Sequence, residues 1–248
     1  MLAAGTLHRL GPFDIPGVGA RHLRAYVPHA RPKRRPPRLL VLFDAQNVFD
    51  DGPAFSGVGW HVHTAAESLR ALAPVIVAVE HGGSARLDEL SPFATERSRG
   101  LLPALVSWLA DEVVTDAWKK LGVLPEPRGT MIGGSSMGGL AAMYAHHARP
   151  DRFGAALCMS SSFWFGHGRI AEYVARSPRP LASRIYLDVG SREGRGMVEG
   201  SRSLAALLRA RGYGDETLKF RLGPRGRHNE RAWRRRFGGA VRFLARAR

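Results

Sequence analysis

A serine flanked by glycines stands near the middle of the chain, in a pattern that can present a nucleophile. Ser136 has Gly134 two residues before it and Gly138 two residues after it. In a tight turn from a strand into a helix, side chains at these two positions would clash with the neighbouring backbone. The adjacent Ser135 would need a glycine where Met137 stands. The spacing therefore predicts Ser136 as the nucleophile of a serine enzyme.

The segments on either side of this turn fit the strand and the helix that the pattern requires. Residues 129–132 form a short apolar run, and residues 140–147 are rich in alanine and helix-like. A strand that leads into the serine and a helix that leaves it are the context of a nucleophile elbow. The alternative is a glycine-rich turn in which the serines are incidental.

A histidine is needed because a serine hydroxyl is a poor nucleophile until a base takes its proton. In a strand-turn-helix site of this kind, the acid and then the histidine follow the serine along the chain. His167 and His228 follow the elbow helix, but His167 precedes the strand expected to carry the acid. His228 comes just after the last predicted strand and is the predicted base. The alternative for His228 is a surface histidine in an arginine-rich loop.

Two carboxylates compete for the third position of the triad. Asp188 lies within the predicted strand 184–189, and Glu193 lies in the loop that follows this strand. Catalytic groups of open α/β sheets collect at the carboxyl ends of the strands. Position therefore favours Glu193, while Asp188 is better suited to a structural hydrogen bond within the strand.

Strand-like and helix-like segments alternate along the chain. The predicted strands are residues 21–27, 39–43, 75–79, 129–132, 155–159, 184–189 and 217–222. The predicted helices are residues 60–72, 100–121, 140–147, 170–176, 201–211 and 230–245. This alternation predicts an α/β-hydrolase fold, in which helices cover both faces of a mostly parallel central sheet. We expect residues 1–248 to form a single domain without a large lid, because no linker, repeat or long insertion is visible.

Five short segments, in this order, resemble the motifs of one known family. Residues 42–50 look like a strand followed by D-G-Q-N-L-F-D, and residues 86–93 look like R-x-D-E-Y-T-P. Residues 134–140 and 190–193 resemble G-x-S-x-G-G-L and G-[TS]-x-[DE], and residues 228–233 resemble H-x-x-x-x-W. The chain thus resembles the putative esterase family of α/β-hydrolases. This family includes enterochelin-type siderophore esterases, feruloyl esterases, the esterase D group and the antigen 85 acyltransferases.

The resemblance implies roles for several residues. The last residue of G-[TS]-x-[DE] is the acid of the family, which further favours Glu193. An oxyanion hole is expected from the backbone N–H of Met137 and the backbone N–H of Gln46. We expect Asp44 to order the loop that carries Gln46 and count it among the substrate-binding candidates; a plain turn residue is the alternative.

Aromatic and basic side chains suggest what the site binds. Trp60 and Trp164 are candidates for an aromatic substrate pocket, although either would fit the hydrophobic core equally well. Arg225 and Arg227 replace the glycine-rich approach to the histidine that is usual in the family. We therefore expect Arg227 to contact substrate and to favour anionic esters through electrostatic attraction. The alternative is that both arginines are simply solvated.

The chain is strongly basic. Its 248 residues include 37 Lys+Arg against 21 Asp+Glu, a net charge of +16. The basic residues cluster at 31–38, where prolines interrupt them, and at 221–248. Binding of nucleic acid would favour basic residues interleaved with exposed aromatics, which the first cluster lacks, so we expect no nucleic-acid partner. A solvated arginine-rich surface is the favoured interpretation, and a field that attracts anionic substrates is the alternative.

Other residue types limit the remaining functions. The single cysteine, Cys158, excludes an intrachain disulfide and a multi-cysteine metal site. His61 and His63 form an H-x-H pair without an accompanying ligand set, so we expect neither a metal nor a cofactor. No secretory signal and no apolar stretch of membrane length is visible, which predicts a cytoplasmic protein without a membrane partner. The oligomeric state is left open.

Together these patterns predict a serine esterase that cleaves a small carboxylic ester through a Ser-His-acid triad and an acyl-enzyme intermediate. An acyltransferase or a thioesterase would use the same residues, so the sequence leaves both open. A siderophore-type hydrolase specific for anionic catecholate esters is a narrower alternative. A non-catalytic or nucleic-acid-binding protein is the least expected.

Overall fold

The structure is a computed structural model that describes residues 2–30 and 35–246. Residues 31–34, part of the first basic cluster, lie outside the described residues. In the described ranges eight strands form one sheet in the order β1-β2-β4-β3-β5-β6-β7-β8. The strands are β1 (Leu7–Ile15), β2 (Gly19–Tyr26), β3 (Leu39–Phe43), β4 (Val75–Val79), β5 (Thr130–Ser135), β6 (Ala155–Met159), β7 (Arg184–Gly190) and β8 (Leu218–Gly223).

The sheet is parallel from β4 to β8, and only β1 and β2 are antiparallel to their neighbours. Strands β3, β4 and β6 are buried at every position, as their continuous apolar sequences predict. Successive residues of β3 serve opposite faces: Val41 and Phe43 belong to one hydrophobic cluster, and Leu40 and Leu42 to the other. The predicted α/β fold is therefore confirmed.

Helices cover both faces of the sheet. They are α1 (Ala45–Val48), α2 (Val62–Ser68), α3 (Arg86–Glu89), α4 (Leu102–Trp108), α5 (Thr115–Lys120), α6 (Met137–Ala148), α7 (Arg169–Arg176), α8 (Arg195–Ala210) and α9 (Glu230–Ala245). A π-helical segment, Leu109–Val114, joins α4 to α5. Helices α4, α6 and α8 contribute to one hydrophobic cluster, and α2 and α9 contribute to the other. None of the helices in the described ranges is long and apolar enough to cross a membrane.

Two of the differences from the sequence-based expectation concern β1 and α8. The predicted sheet began at residue 21, but β1 lies before it as an edge strand, where Gly11 and Pro12 interrupt the strand pattern and a register shift follows Leu10. Helix α8 begins at Arg195 instead of residue 201, because the glycines at 196 and 200 dilute the helical pattern of its first turns.

A buried histidine in α6 shows how polar groups are satisfied beneath the sheet. His146 is fully buried, and its Nδ1 lies 2.8 Å from the carbonyl oxygen of Phe153. Because a carbonyl only accepts, Nδ1 carries the proton, and Nε2 accepts from Ser183 Oγ at 2.6 Å. Burial lowers the pKa of His146 to about 3 and that of its neighbour His147 to about 4. Both imidazoles are therefore neutral in the folded protein.

The first prediction concerns stability in acid. The folded-state pKa values of His146 and His147 lie below the unfolded value of 6.5, so below that pH the unfolded chain binds protons that the folded chain does not. The stability is therefore complete above pH 6.5 and falls as the pH approaches 4, by about 1.4 kcal/mol per pH unit for each histidine. Urea denaturation across this pH range measures the slope.

The control separates this effect from general acid unfolding. His146→Gln should reduce the pH slope of the unfolding free energy, whereas His167→Asn, at an exposed left-handed position that asparagine tolerates, should leave it unchanged. Equal slopes in His146→Gln and the parent protein would contradict the prediction.

Candidate active site

Ser136 lies at the junction of β5 and α6 in a strained backbone conformation. Its φ is 55° and its ψ is −121°, a combination that typically costs about 1–3 kcal/mol for a residue with a side chain. Its N–H donates to the carbonyl of Met159 and its carbonyl accepts from the N–H of Ser162, both at 3.0 Å. These bonds connect the turn to the end of β6 and hold the serine in place.

The two flanking glycines explain why the turn can be so tight. A Cβ at Gly134 would lie 2.6 Å from the carbonyl carbon of Gly138, a distance that real Cβ atoms do not reach. A Cβ at Gly138 would lie 3.2 Å from Asp44 Oδ2 and 3.3 Å from Phe43 Cβ, which leaves little room. This crowding is what the spacing around Ser136 predicts.

The structure brings His228 and Glu193 together. His228 lies in the loop between β8 and α9, and its Nδ1 is 3.0 Å from Glu193 Oε2. The Glu193 side chain is fully buried, whereas that of His228 is 36% exposed. Glu193 Oε1 accepts hydrogen bonds from Ser160 Oγ and the N–H of Gly190, both at 2.7 Å.

These hydrogen bonds keep Glu193 charged. Burial raises the pKa of its carboxyl, but hydrogen bonds from His228, Ser160 and Gly190 outweigh burial and hold the pKa below its ordinary value. An ionised carboxylate at Nδ1 fixes the imidazole tautomer, so that the opposite nitrogen, Nε2, is free to accept a proton.

The loops that carry Glu193 and His228 pack against each other through their backbones. A Cβ at Gly190 would lie 2.4 Å from the carbonyl carbon of Gly226. The N–H of Arg192 donates to the carbonyl of Gly226 at 3.0 Å, and the N–H of Arg225 donates to Ser191 Oγ at 2.8 Å. The separation of acid and base is therefore set by contacts between main chains.

Asp188, the competing acid, lies deeper and has a different partner. Its side chain is fully buried, and its Oδ2 is 3.4 Å from Arg236 Nε. Burial raises the pKa of Asp188 to about 6, against the lowering effect of Arg236. In the described part of the chain, the carboxylate hydrogen bonded to His228 is Glu193 and not Asp188.

Ser136, His228 and Glu193 line the same cleft, which has a volume of about 410 Å³. Ser162, Trp164 and Met197 also line it. Ser136 Oγ lies 3.3 Å from Ser162 Oγ, which is its hydrogen-bond partner among the described residues. Catalytic hydrogen bonds between nucleophile and base often form only once substrate has bound.

The two predicted oxyanion-hole residues are both in the first turn of a helix. Gln46 is in α1 and Met137 begins α6, so their N–H groups are among those without an acceptor inside the helix. The side chain of Gln46 is fixed to the main chain of His81 by bonds of 2.9 Å and 3.1 Å. Gly138 lies close to the Asp44 carboxylate, so the N-terminal ends of α1 and α6 are neighbours.

Asp44 orders this loop through an ion pair. It is 4% exposed, and its two carboxylate oxygens accept from Arg86 Nε at 2.6 Å and Nη2 at 2.8 Å. Its backbone is left-handed, with φ 62°. Arg86 engages both oxygens, which fits the expected role of Asp44 in ordering the loop of Gln46, and its role in substrate binding stays a prediction.

The other three substrate-binding candidates lie in different environments. Trp60 is 2% exposed and packs against Trp233 and Phe237, so it belongs to the core and does not line the cleft. Trp164 is 50% exposed and does line the cleft. Arg227 is exposed in the loop before His228 and stands outside the residues that line the cleft.

Several side chains of the site had no individual signal in the sequence. Ser162 reaches the cleft from the loop after β6 and Met197 from the first turn of α8, and the Trp164 indole donates to Met197 Sδ at 3.0 Å. Arg86 was visible only as one letter of a family motif, and its pairing with Asp44 crosses 42 residues of chain.

The H-x-H pair is occupied by other contacts. His61 Nε2 lies 2.7 Å from Asp51 Oδ1, and Arg234 contacts the other ring nitrogen. His63 stacks on Phe49. Within residues 2–30 and 35–246, no three His, Cys, Asp or Glu side chains are grouped as metal ligands would be.

Comparison with known families agrees with this geometry. Residues 19–244 match the model of the family described as Putative esterase. Because the match covers most of the chain, the protein belongs to this family. It is an ester hydrolase with an α/β-hydrolase fold, and the reaction class expected from the sequence is thereby confirmed.

The chain is similar to several individual proteins, two of which are enterobactin esterases. It is 31% identical to the iron(III) enterobactin esterase of Dickeya dadantii (strain 3937) over 136 residues, which are 54% of this chain and 28% of that protein. The BES protein from Bacillus cereus has a TM-score of 0.76 at 17% identity, with 100% of this chain and 97% of that chain covered. The enterobactin esterase FES from Shigella flexneri, solved in the presence of enterobactin, has a TM-score of 0.74 at 21% identity. That match covers 98% of this chain and 59% of the Shigella chain.

The second prediction concerns the nucleophile. Ser136→Ala should abolish ester hydrolysis and leave the fold intact, because only the Ser136 register has glycines where the turn is crowded. Ser135→Ala, one residue earlier at the end of β5, is the matched control and should remain active. Turnover of a chromogenic ester and the circular dichroism spectrum measure the two effects. Loss of activity in Ser135→Ala alone would refute the assignment.

The third prediction concerns the acid. Glu193→Gln should reduce kcat far more than Asp188→Asn reduces it per folded molecule, because Glu193 contacts His228 and Asp188 does not. Replacing the acid of a well-studied serine protease costs on the order of 10⁴ in kcat. Active-site titration corrects for the folded fraction of each variant. Similar kcat values for the two variants would place the acid elsewhere or show that Ser136 and His228 suffice.

Proposed function

We propose that this protein cleaves a carboxylic ester with Ser136 as nucleophile, His228 as base and Glu193 as the acid of a triad. The observation that carries the proposal is the 3.0 Å contact of His228 Nδ1 with a buried, charged Glu193, in the same cleft that contains Ser136. Each of the three follows the carboxyl end of a different strand of the parallel sheet.

The reaction begins when Ser136 Oγ attacks the ester carbonyl carbon while His228 Nε2 takes the hydroxyl proton. The carbonyl π electrons move to oxygen, and the resulting oxyanion accepts hydrogen bonds from the N–H groups of Met137 and Gln46. One such donor contributes about 3 kcal/mol to transition-state stabilisation. The tetrahedral intermediate then expels the alcohol, which takes the proton from His228, and leaves an acyl-enzyme. A water molecule then attacks the acyl-enzyme while His228 takes its proton. Ser136 Oγ leaves with that proton, and the carboxylic acid product is released.

Glu193 supports this cycle through charge. When His228 becomes an imidazolium, the ionised carboxylate at Nδ1 stabilises the new positive charge. Because the carboxylate is buried, the interaction is less screened than it would be at the surface. The hydrogen bonds that lower the pKa of Glu193 therefore maintain the negative charge that stabilises the imidazolium.

The substrate that best fits the cleft is an aromatic or anionic ester. Trp164 presents a half-exposed indole at the wall of the cleft, next to the polarisable thioether of Met197. Arg225 and Arg227 are exposed in the loop that leads to His228 and add positive charge beside the cleft. The field of a chain with a net charge of +16 acts in the same direction.

A siderophore-type ester is the second candidate. Two of the relatives described above are enterobactin esterases, and one of them shares 31% identity with this chain. This chain spans 28% of the length of that relative and 59% of the Shigella chain, so the activity of those whole proteins is a hypothesis here.

A substrate panel tests the proposal. Short-chain, aromatic and catecholate esters and acyl thioesters are assayed with the parent protein and with Ser136→Ala. Ester hydrolysis that requires Ser136 is the expected result. Preferred cleavage of thioesters would make the protein a thioesterase. Transfer of the acyl group to an added alcohol in preference to water would make it an acyltransferase.

The fourth prediction concerns electrostatic attraction at the mouth of the cleft. Two 4-nitrophenyl esters with the same leaving group and chain length, one of glutaric acid with a free carboxylate and one of pentanoic acid, are compared across increasing salt. We expect kcat/KM for the anionic ester to fall with salt and that for the neutral ester to stay constant.

The matching variant is Arg225→Gln/Arg227→Gln. It should lower kcat/KM for the anionic ester and weaken its salt dependence, while the neutral ester is unaffected. Identical salt dependence for both esters, unchanged in the variant, would mean that these arginines only solvate the surface.

A further inference from the structure

Ser160 occupies an unusual position directly after β6. It is fully buried, and its φ of 44° places it in the left-handed region, which is uncommon for a residue other than glycine. Its N–H donates to the carbonyl of Asp188 in the neighbouring strand at 2.8 Å. A glycine would adopt this conformation without strain, so a serine here indicates that the hydroxyl itself has a use.

The hydroxyl of Ser160 is saturated with hydrogen bonds. It donates to Glu193 Oε1 at 2.7 Å and accepts from Trp233 Nε1 and from Arg236 Nη2, both at 2.9 Å. A hydroxyl has one proton to donate and two lone pairs to accept with. Because the indole and the guanidinium can only donate, the proton of Ser160 is necessarily directed at Glu193.

Trp233 extends this arrangement to the base. Its ring packs edge-on against the imidazole of His228, with the ring centroids 5.0 Å apart and an interplanar angle of 85°. The same indole donates to Ser160. One hydroxyl is thus bonded both to the carboxylate that orients His228 and to the aromatic ring that supports His228 from the side.

Arg236 contributes the charge in this network. Its side chain is 9% exposed, and it lies between two buried carboxylates, 3.4 Å from Asp188 and 3.7 Å from Glu193. Its Nη2 donates to Ser160, so the hydroxyl is polarised towards Glu193. The cation also reduces the repulsion between the two carboxylates.

We infer that Ser160 is a positioning residue of the esterase, whose hydroxyl fixes Glu193 and Trp233 and thereby sets the orientation of His228. This inference rests on the proposed triad and adds a residue that touches neither the substrate nor the reacting atoms. Removal of the hydroxyl leaves the acid, the base and the nucleophile in place but loosens the acid–base pair.

The test compares Ser160→Ala with Ser160→Gly in the full-length chain. Both remove the hydroxyl, but glycine adopts a φ of 44° without strain and alanine adopts it with strain, so the two variants should differ in thermal stability. We expect both to lose kcat to a similar extent, by up to about 100-fold, with KM for a 4-nitrophenyl ester nearly unchanged. If Ser160 only stabilised the fold, the less stable of the two variants would also lose more kcat.

Ser161→Ala is the matched control. Ser161 is also buried in the adjacent position, but its Oγ has no hydrogen-bond partner among the described residues. This variant should retain the parent kcat. The proton on His228 Nδ1 supplies a direct signature: its downfield NMR signal should shift or broaden in both Ser160 variants and stay in place in Ser161→Ala.

The outcomes distinguish a failure of the proposed function from a failure of the positioning role of Ser160. If Ser136→Ala still hydrolyses the ester, the proposed function fails. If Ser136→Ala is inactive while Ser160→Ala and Ser160→Gly keep the parent kcat per folded molecule, or keep the Nδ1 proton signal unchanged, the positioning role of Ser160 alone is overturned.

Discussion

The close approach of Gly134 to Gly138 is the constraint on which the site depends. It lets β5 turn directly into α6, so that the backbone of Ser136 adopts a conformation that is rare for residues with a side chain. The strain is maintained because β5 is hydrogen bonded on both sides, to β3 and to β6. A strand at the edge of the sheet could not resist the same strain so well, because only one neighbour would hold it.

The order of the strands then determines which groups surround the serine. Along the sheet β3, β5, β6, β7 and β8 are neighbours in that order, and all five run parallel. Their carboxyl ends carry, in turn, the loop of Gln46, the proposed nucleophile Ser136, and then Ser160, Glu193 and His228. Neighbouring strands thus bring together residues that are more than 180 positions apart in the sequence.

Much of the sheet and the elbow could be predicted from the sequence, because short, local rules govern both. The apolar runs of β3 and β4 and the glycines around Ser136 are such local signals. The partner of Asp44 and the location of Trp60 could not be predicted in the same way. Asp44 pairs with Arg86, which lies 42 residues further along the chain. A tryptophan such as Trp60 suits a hydrophobic core and a substrate pocket equally well, and only its packing against Trp233 shows that it belongs to the core.

Asp188 and Glu193 are close in the sequence, but burial and charge give their carboxylates different environments. Both side chains are fully buried, but Asp188 lies in the strand, where burial raises its pKa to about 6 and Arg236 is the nearest cation. Glu193 extends from a loop and gains three hydrogen bonds, which lower its pKa and keep it ionised. Glu193 is ionised and lies at Nδ1 of His228, which suits stabilisation of an imidazolium, whereas Asp188 lies beside Arg236 and suits a structural ion pair. Arg236 allows both carboxylates to share one enclosed region, because a single buried cation offsets part of the repulsion between them.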